Sequence, residues 1–136
     1  MAYSSSKSIR EPLEKTITDS IRRWVNQQEG CHSRKTHGGA YGGAGWPDIV
    51  CCVRGTLLML EVKRHGAAGA TALQRRELKD WFEAGAVSAV VRSLDDVKLL
   101  VGFLLSDGVS ARGIARGAVD FGGSWEMRPV FQDGGV

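Results

Sequence analysis

Apolar positions Leu13, Ile17, Ile21, Trp24 and Val25 recur at helical spacing behind Pro12, a residue suited to a first helical turn, and Gly30 ends the pattern. This predicts an amphipathic helix. Residues 31–37 then read as a strand. Two further apolar runs, 49–53 and 57–60, flank Arg54-Gly55, and a two-residue X-Gly loop between such runs is a hairpin signal. Thr71-x-x-Gln74 is a capping-box signature opening a helix through about Ala84, with Gly85 closing it and Leu73, Leu78, Trp81 and Phe82 as its buried face. Residues 86–92 read as a strand returning to the sheet. Ser93-x-x-Asp96 caps a last helix carrying Val97, Leu99, Leu100, Phe103 and Leu104. The order αβββαβα predicts an α/β fold, a mixed central sheet flanked by helices.

Between these elements, residues 38–45 (GGAYGGAG) are too rich in glycine for helix or strand and predict a mobile loop; 65–70 (HGAAGA) predicts a second. Residues 1–10 are polar and serine-rich, a flexible arm. From Asp107 onward the chain is again glycine-rich, with scattered Val109, Ile114, Val119, Phe121, Trp125, Val130 and Phe131. Two short strands or a partner-clasping extension both fit it. The expected organisation is an arm (1–10), one domain (11–106) and an extension (107–136).

Length and composition change this picture little: 136 residues, 43% hydrophobic and 24% charged, suit one domain with a real core. No apolar run approaches the roughly 20 residues of a membrane span, and the N-terminus lacks the apolar stretch of a secretory signal, so a cytoplasmic protein is expected. Three cysteines, two adjacent in a strand, make no disulfide framework. Cys51 and Cys52 read as core filler. A zinc site from Cys31, His32, His37 and that pair matches no common spacing.

The net charge of +3 and pI near 8.9 are only mildly basic. Their distribution says more: Arg34, Lys35, Arg54, Lys63 and Arg64, with His32 and His37, stand in the middle of the chain against only Asp48 and Glu61.

Those two acids carry the chemistry. With Arg54-Gly55 as the loop, hairpin partners sum to 109, so Asp48 falls opposite Glu61; Lys63 shares their face because side chains alternate. Two carboxylates about 4 Å apart would repel by about 4 kcal/mol at an effective dielectric near 20, so the pair needs a shared proton or a cation. Hard oxygen ligands suit Mg²⁺ or Mn²⁺, which accept phosphate oxygens in their remaining positions, making a phosphodiester the natural substrate. Lys63 would orient water or balance charge on the phosphate. An E-x-K triplet alone is also an ordinary strand-end pair.

The combination is more specific. Glu14, Lys35-Thr36-His37-Gly38-Gly39, Gly45-Trp46-Pro47-Asp48, Glu61-Val62-Lys63-Arg64, Gln74 and Val91-Arg92-Ser93-x-x-Asp96-Val97, in this order, resemble a stand-alone VRR-NUC domain of the PD-(D/E)xK nuclease superfamily over residues 14–97. The resemblance implies a restriction-endonuclease-like fold and a Mg²⁺- or Mn²⁺-dependent DNA endonuclease, acting as a homodimer on branched DNA or Holliday junctions in a bacterial or phage-infected cell. It implies metal ligation by Glu14, Asp48, Glu61 and the Val62 carbonyl, with Lys63 and Gln74 assisting catalysis. From the residues alone, Glu14 is equally a helix-start acid favoured by the dipole, with Glu11 as a competitor, and Gln74 is equally a cap partner. A nicking or restriction-like nuclease and a noncatalytic DNA-binding module are the rival readings.

Around this centre, Lys35, His37 and Tyr41 are placed to touch or stack on nucleic acid. Arg64, Arg75, Arg76 and Lys79 would neutralise phosphates without reading bases. A solvated helix face is the plain alternative for the last three.

Overall fold

The structure, a computed structural model, describes residues 13–36, 44–106 and 118–120. Its elements are α1 (Glu14–Gln27), β1 (Cys31–Lys35), β2 (Ile49–Val53), β3 (Thr56–Val62), α2 (Ala72–Glu83), β4 (Val87–Val91), α3 (Leu94–Leu105) and β5 (Ala118–Asp120). They follow the expected order and add one strand. The arm, the stretch from His37 to Gly43 and most of the chain after Asp107 lie outside the described residues, and Trp125, Val130 and Phe131 lie there too.

One sheet runs in the order β1-β2-β3-β4-β5, antiparallel up to β3 and parallel from β3 to β5. The hairpin register is the expected one: Val53 faces Thr56 and Ile49 faces Leu60. Arg54 and Gly55 both have positive φ, 47° and 91°, the requirement of a type I′ turn whose twist matches the strands it joins. In the C-terminal region left open between short strands and an extension, residues 118–120 form one short strand that extends the sheet beside β4.

Alternation along the strands divides the core in two. Leu58, Leu60 and Val62 of β3, with Ile49, Cys51 and Val53 of β2 and Val87, Ala89 and Val91 of β4, meet Ile17, Ile21 and Val25 of α1 and Val97, Leu100 and Val101 of α3. Met59 and Val90 turn to the other face and meet Leu78 of α2, with Val50, Leu57 and Trp81 alongside. β4 is buried throughout, as a central parallel strand covered on both faces must be.

Two expectations about burial fail, those for Leu73 and Cys52, and in α3 the facing surfaces choose among the apolar positions. Leu73 is exposed although it is on the apolar pattern of α2; Leu99 and Phe103 are exposed because α3 is apolar nearly all round and the sheet takes Val97, Leu100 and Val101. Cys52, expected to fill the core beside Cys51, is exposed, since strand neighbours point to opposite faces.

Candidate active site

The strand ends of the hairpin bring Asp48, Glu61 and Lys63 together on the face that α2 covers. Asp48 continues the β2 register, and its carboxylate is fixed by the backbone: Oδ2 accepts from the Val62 N–H at 2.8 Å. Its own carbonyl accepts from Thr36 N at 2.9 Å, and the Pro47 carbonyl accepts from Thr36 Oγ1. The loop strand entering Asp48 is thus stitched to the end of β1.

Glu61 is only 2% exposed, in a strand whose other residues after Thr56 are apolar. Burial, then the charge of Asp48 and a side-chain hydrogen bond to it, push the Glu61 carboxyl up to about 9; Lys63 opposes the shift and Glu14 adds to it. The Lys63 ammonium stands 3.8 Å from Glu61 Oε2 and is itself largely covered. Glu61 Oε1 is buried with no hydrogen-bond partner. A buried carboxyl oxygen without a partner costs about 1–3 kcal/mol, a cost that a bound cation would offset. Asp48 and Glu61, two facing carboxyls with one oxygen unpartnered, would hold a divalent cation through hard oxygen donors, and the ion would supply Lewis acidity there.

The other expected ligands are less tightly gathered. Glu14 is exposed at the first turn of α1, on the helix covering the opposite face, and reaches Glu61 only through its charge. Among the described residues, no group of three or more His, Cys, Asp or Glu side chains stands close enough to hold a metal ion. Val62 is buried, and its N–H orients Asp48. Gln74 is in a complete capping box: its Oε1 accepts from Thr71 N at 2.9 Å and its N–H donates to Thr71 Oγ1 at 3.2 Å.

Of the expected nucleic-acid contacts, Lys35, Arg64 and Arg76 are exposed. Arg75 turns one arm onto the Ala70 carbonyl at 2.7 Å, and exposed Lys79 lies 3.6 Å from Glu83. His37 and Tyr41 lie outside the described residues.

Arg92 stands in the Val91-Arg92-Ser93 motif, where the sequence by itself assigns it no role. It is buried at the end of β4, and NH1 donates to the carbonyls of Arg64, at 2.7 Å, and Ala67, at 2.8 Å. Next to it Lys63 N donates to Val91 O at 3.0 Å. The end of β3 that carries Lys63 is therefore clamped from β4. An arginine directly following a strand of four apolar residues and one serine was the available signal.

A solved structure described as a VRR_NUC domain protein is similar to this chain with a TM-score of 0.56 at 21% identity, the match covering 69% of this chain and 88% of that one. No protein-family model matches the sequence. No curated protein matches it either. The mixed sheet with helices on both faces is therefore a restriction-endonuclease-like fold, the fold of a VRR-NUC domain.

Proposed function

We propose that this chain is a Mg²⁺- or Mn²⁺-dependent endodeoxyribonuclease of the PD-(D/E)xK kind that hydrolyses phosphodiester bonds in branched DNA. The observation that carries the reading is Glu61: a carboxyl buried at a strand end, one oxygen unpartnered, facing a second carboxyl and a lysine.

Asp48 and Glu61 would hold the ion, with Glu14 contributing negative charge from the edge. The ion, when bound, supplies Lewis acidity toward a phosphate oxygen and acidifies water. Asp48 keeps its orientation through the Val62 N–H, so the carboxylate enters the site already aimed. Lys63 has three donors on one compact charge; one side faces Glu61, leaving capacity to position water and to donate to the phosphate as negative charge grows there. The clamp of Arg92 on residues 64 and 67 keeps the strand end beneath Lys63 in place. An intact acid, acid and lysine set weighs against a noncatalytic module.

Cutting a branch on two strands calls for two sites, and a two-fold homodimer is the common way to supply them. The apolar pair Leu99 and Phe103, one turn apart and exposed on α3, favours such an assembly. The full chain should cleave flap or four-way junction DNA in Mg²⁺ or Mn²⁺ and not in excess chelator, and should sediment as a dimer at micromolar concentration. Failure to cut duplex, flap and junction DNA alike would refute the nuclease reading.

A further inference from the structure

Trp46 stands two residues before Asp48 and is 44% exposed. Its surroundings hold it still. Gly45 has φ +84°, and a Cβ there would lie 2.9 Å from the Leu73 carbonyl oxygen, so the backbone entering Trp46 is pressed against the first turn of α2 in a way only glycine permits. On the other side Pro47 is buried and held by Thr36. The indole meets Trp81 edge to face, centroids 6.4 Å apart and planes at 74°, and Trp81 is in turn fixed by Nε1 donating to Glu77 Oε2 at 2.9 Å.

An edge-to-face contact occupies at most one face of the Trp46 ring. Leu73, 51% exposed, adds apolar surface beside it, and Arg76, three residues further along α2 and exposed, adds a cation. A half-open aromatic fixed by its neighbours is the arrangement on which single-stranded nucleic acid stacks, and a cation on the adjoining helix suits the strand's backbone. Two residues of extended chain span at most about 7 Å. That is about two nucleotide steps of 3.4 Å along a strand.

We propose that Trp46, backed by Leu73, is a stacking platform for an unpaired nucleobase within one or two nucleotides of the scissile phosphate at the Asp48–Glu61 site. A base inside continuous duplex has both faces covered by its neighbours and offers none to an indole; a base freed at a flap or branch does. Stacking tolerates any base, so the platform selects DNA by its unpaired nucleotides and not by sequence. The inference rests on the nuclease reading for the position of the phosphate.

The test uses the full chain carrying Glu61→Gln, which permits binding without cleavage, alone and combined with Trp46→Leu or Trp46→Phe. Affinities are measured for flap DNA and for continuous duplex of the same length. Trp46→Leu should lower the flap-to-duplex affinity ratio about fivefold or more, and Trp46→Phe should restore most of it. An abasic nucleotide walked through the unpaired positions should, at one of them, weaken binding by as much as Trp46→Leu does, with no further loss when the two are combined. A purely structural Trp46 would give additive losses, and either additivity or an equal loss on flap and duplex overturns the platform. Wild-type protein that prefers flap DNA through Trp46 yet cuts nothing leaves the platform standing and removes the nuclease reading. A protein that cuts flap DNA while Trp46→Leu binds it as before removes the platform alone.

Discussion

The Val62 N–H donates to Asp48 Oδ2 across the hairpin, at 2.8 Å, and so one backbone bond ties the first carboxylate of the site to the residue standing between Glu61 and Lys63. Because Val62 points into the opposite core, packing on one face of the sheet sets the geometry of the acidic pair on the other.

Glu61→Gln keeps the shape of the side chain and removes the charge that burial disfavours. Cleavage should fall by at least about a hundredfold, the usual cost of losing one electrostatic stabiliser. The melting temperature of metal-free protein at pH 8 should rise. Asp48→Asn should lose activity similarly. Single-turnover cleavage with thermal unfolding in parallel checks both, and near wild-type cutting by either variant would remove that residue from the site.

The raised Glu61 carboxyl has a signed consequence for stability. In the unfolded chain it titrates near 4.5 and in the folded one near about 9, so between those values the folded state holds the extra proton. Its contribution to metal-free stability is therefore full below 4.5 and is lost as pH rises through about 9. Melting of metal-free protein should show this loss between pH 6 and 9; Mn²⁺ should offset it, and Glu61→Gln should flatten it. Identical pH slopes for wild type and variant would contradict the assignment.

Arg92 should matter to stability more than its place in an apolar strand suggests. Arg92→Ala strands two carbonyls whose donor was charged, and should cost about 3 kcal/mol in urea unfolding. Arg92→Lys, lacking the planar fork, should recover only part of that. Proteolysis between residues 64 and 70 should become faster in Arg92→Ala.

Thr71 and Gln74 satisfy each other's backbone N–H groups, so Thr71→Ala and Gln74→Ala should each cost about 1 kcal/mol and together less than the sum. A Gln74→Ala variant that loses stability but cleaves DNA as fast as wild type identifies a cap residue; a selective fall in kcat would assign Gln74 to the chemistry as well.

The hairpin, its register and the meeting of Asp48, Glu61 and Lys63 on one face were legible in the sequence, because a two-residue turn and a side-chain period of two leave no freedom once Arg54-Gly55 is the loop. The two helix starts at Thr71 and Ser93 were legible for the same kind of reason: caps are made by residues three apart, and the chain needs no distant partner to form them.

What tertiary structure decided was everything set by groups far apart in the chain. The protonation of Glu61 depends on how completely α2 and the neighbouring strands exclude water, and Arg92 finds its carbonyls 28 and 25 residues away. Leu73 was an apolar residue on a helical pattern until the fold left it at the open end of α2 against Gly45. β5 carries three residues, too few for any period to announce a strand; it exists as one because β4 offers an edge to pair with. Periodicity records which face a residue occupies, whereas burial, charge state and edge pairing are properties of the surfaces that come to meet it.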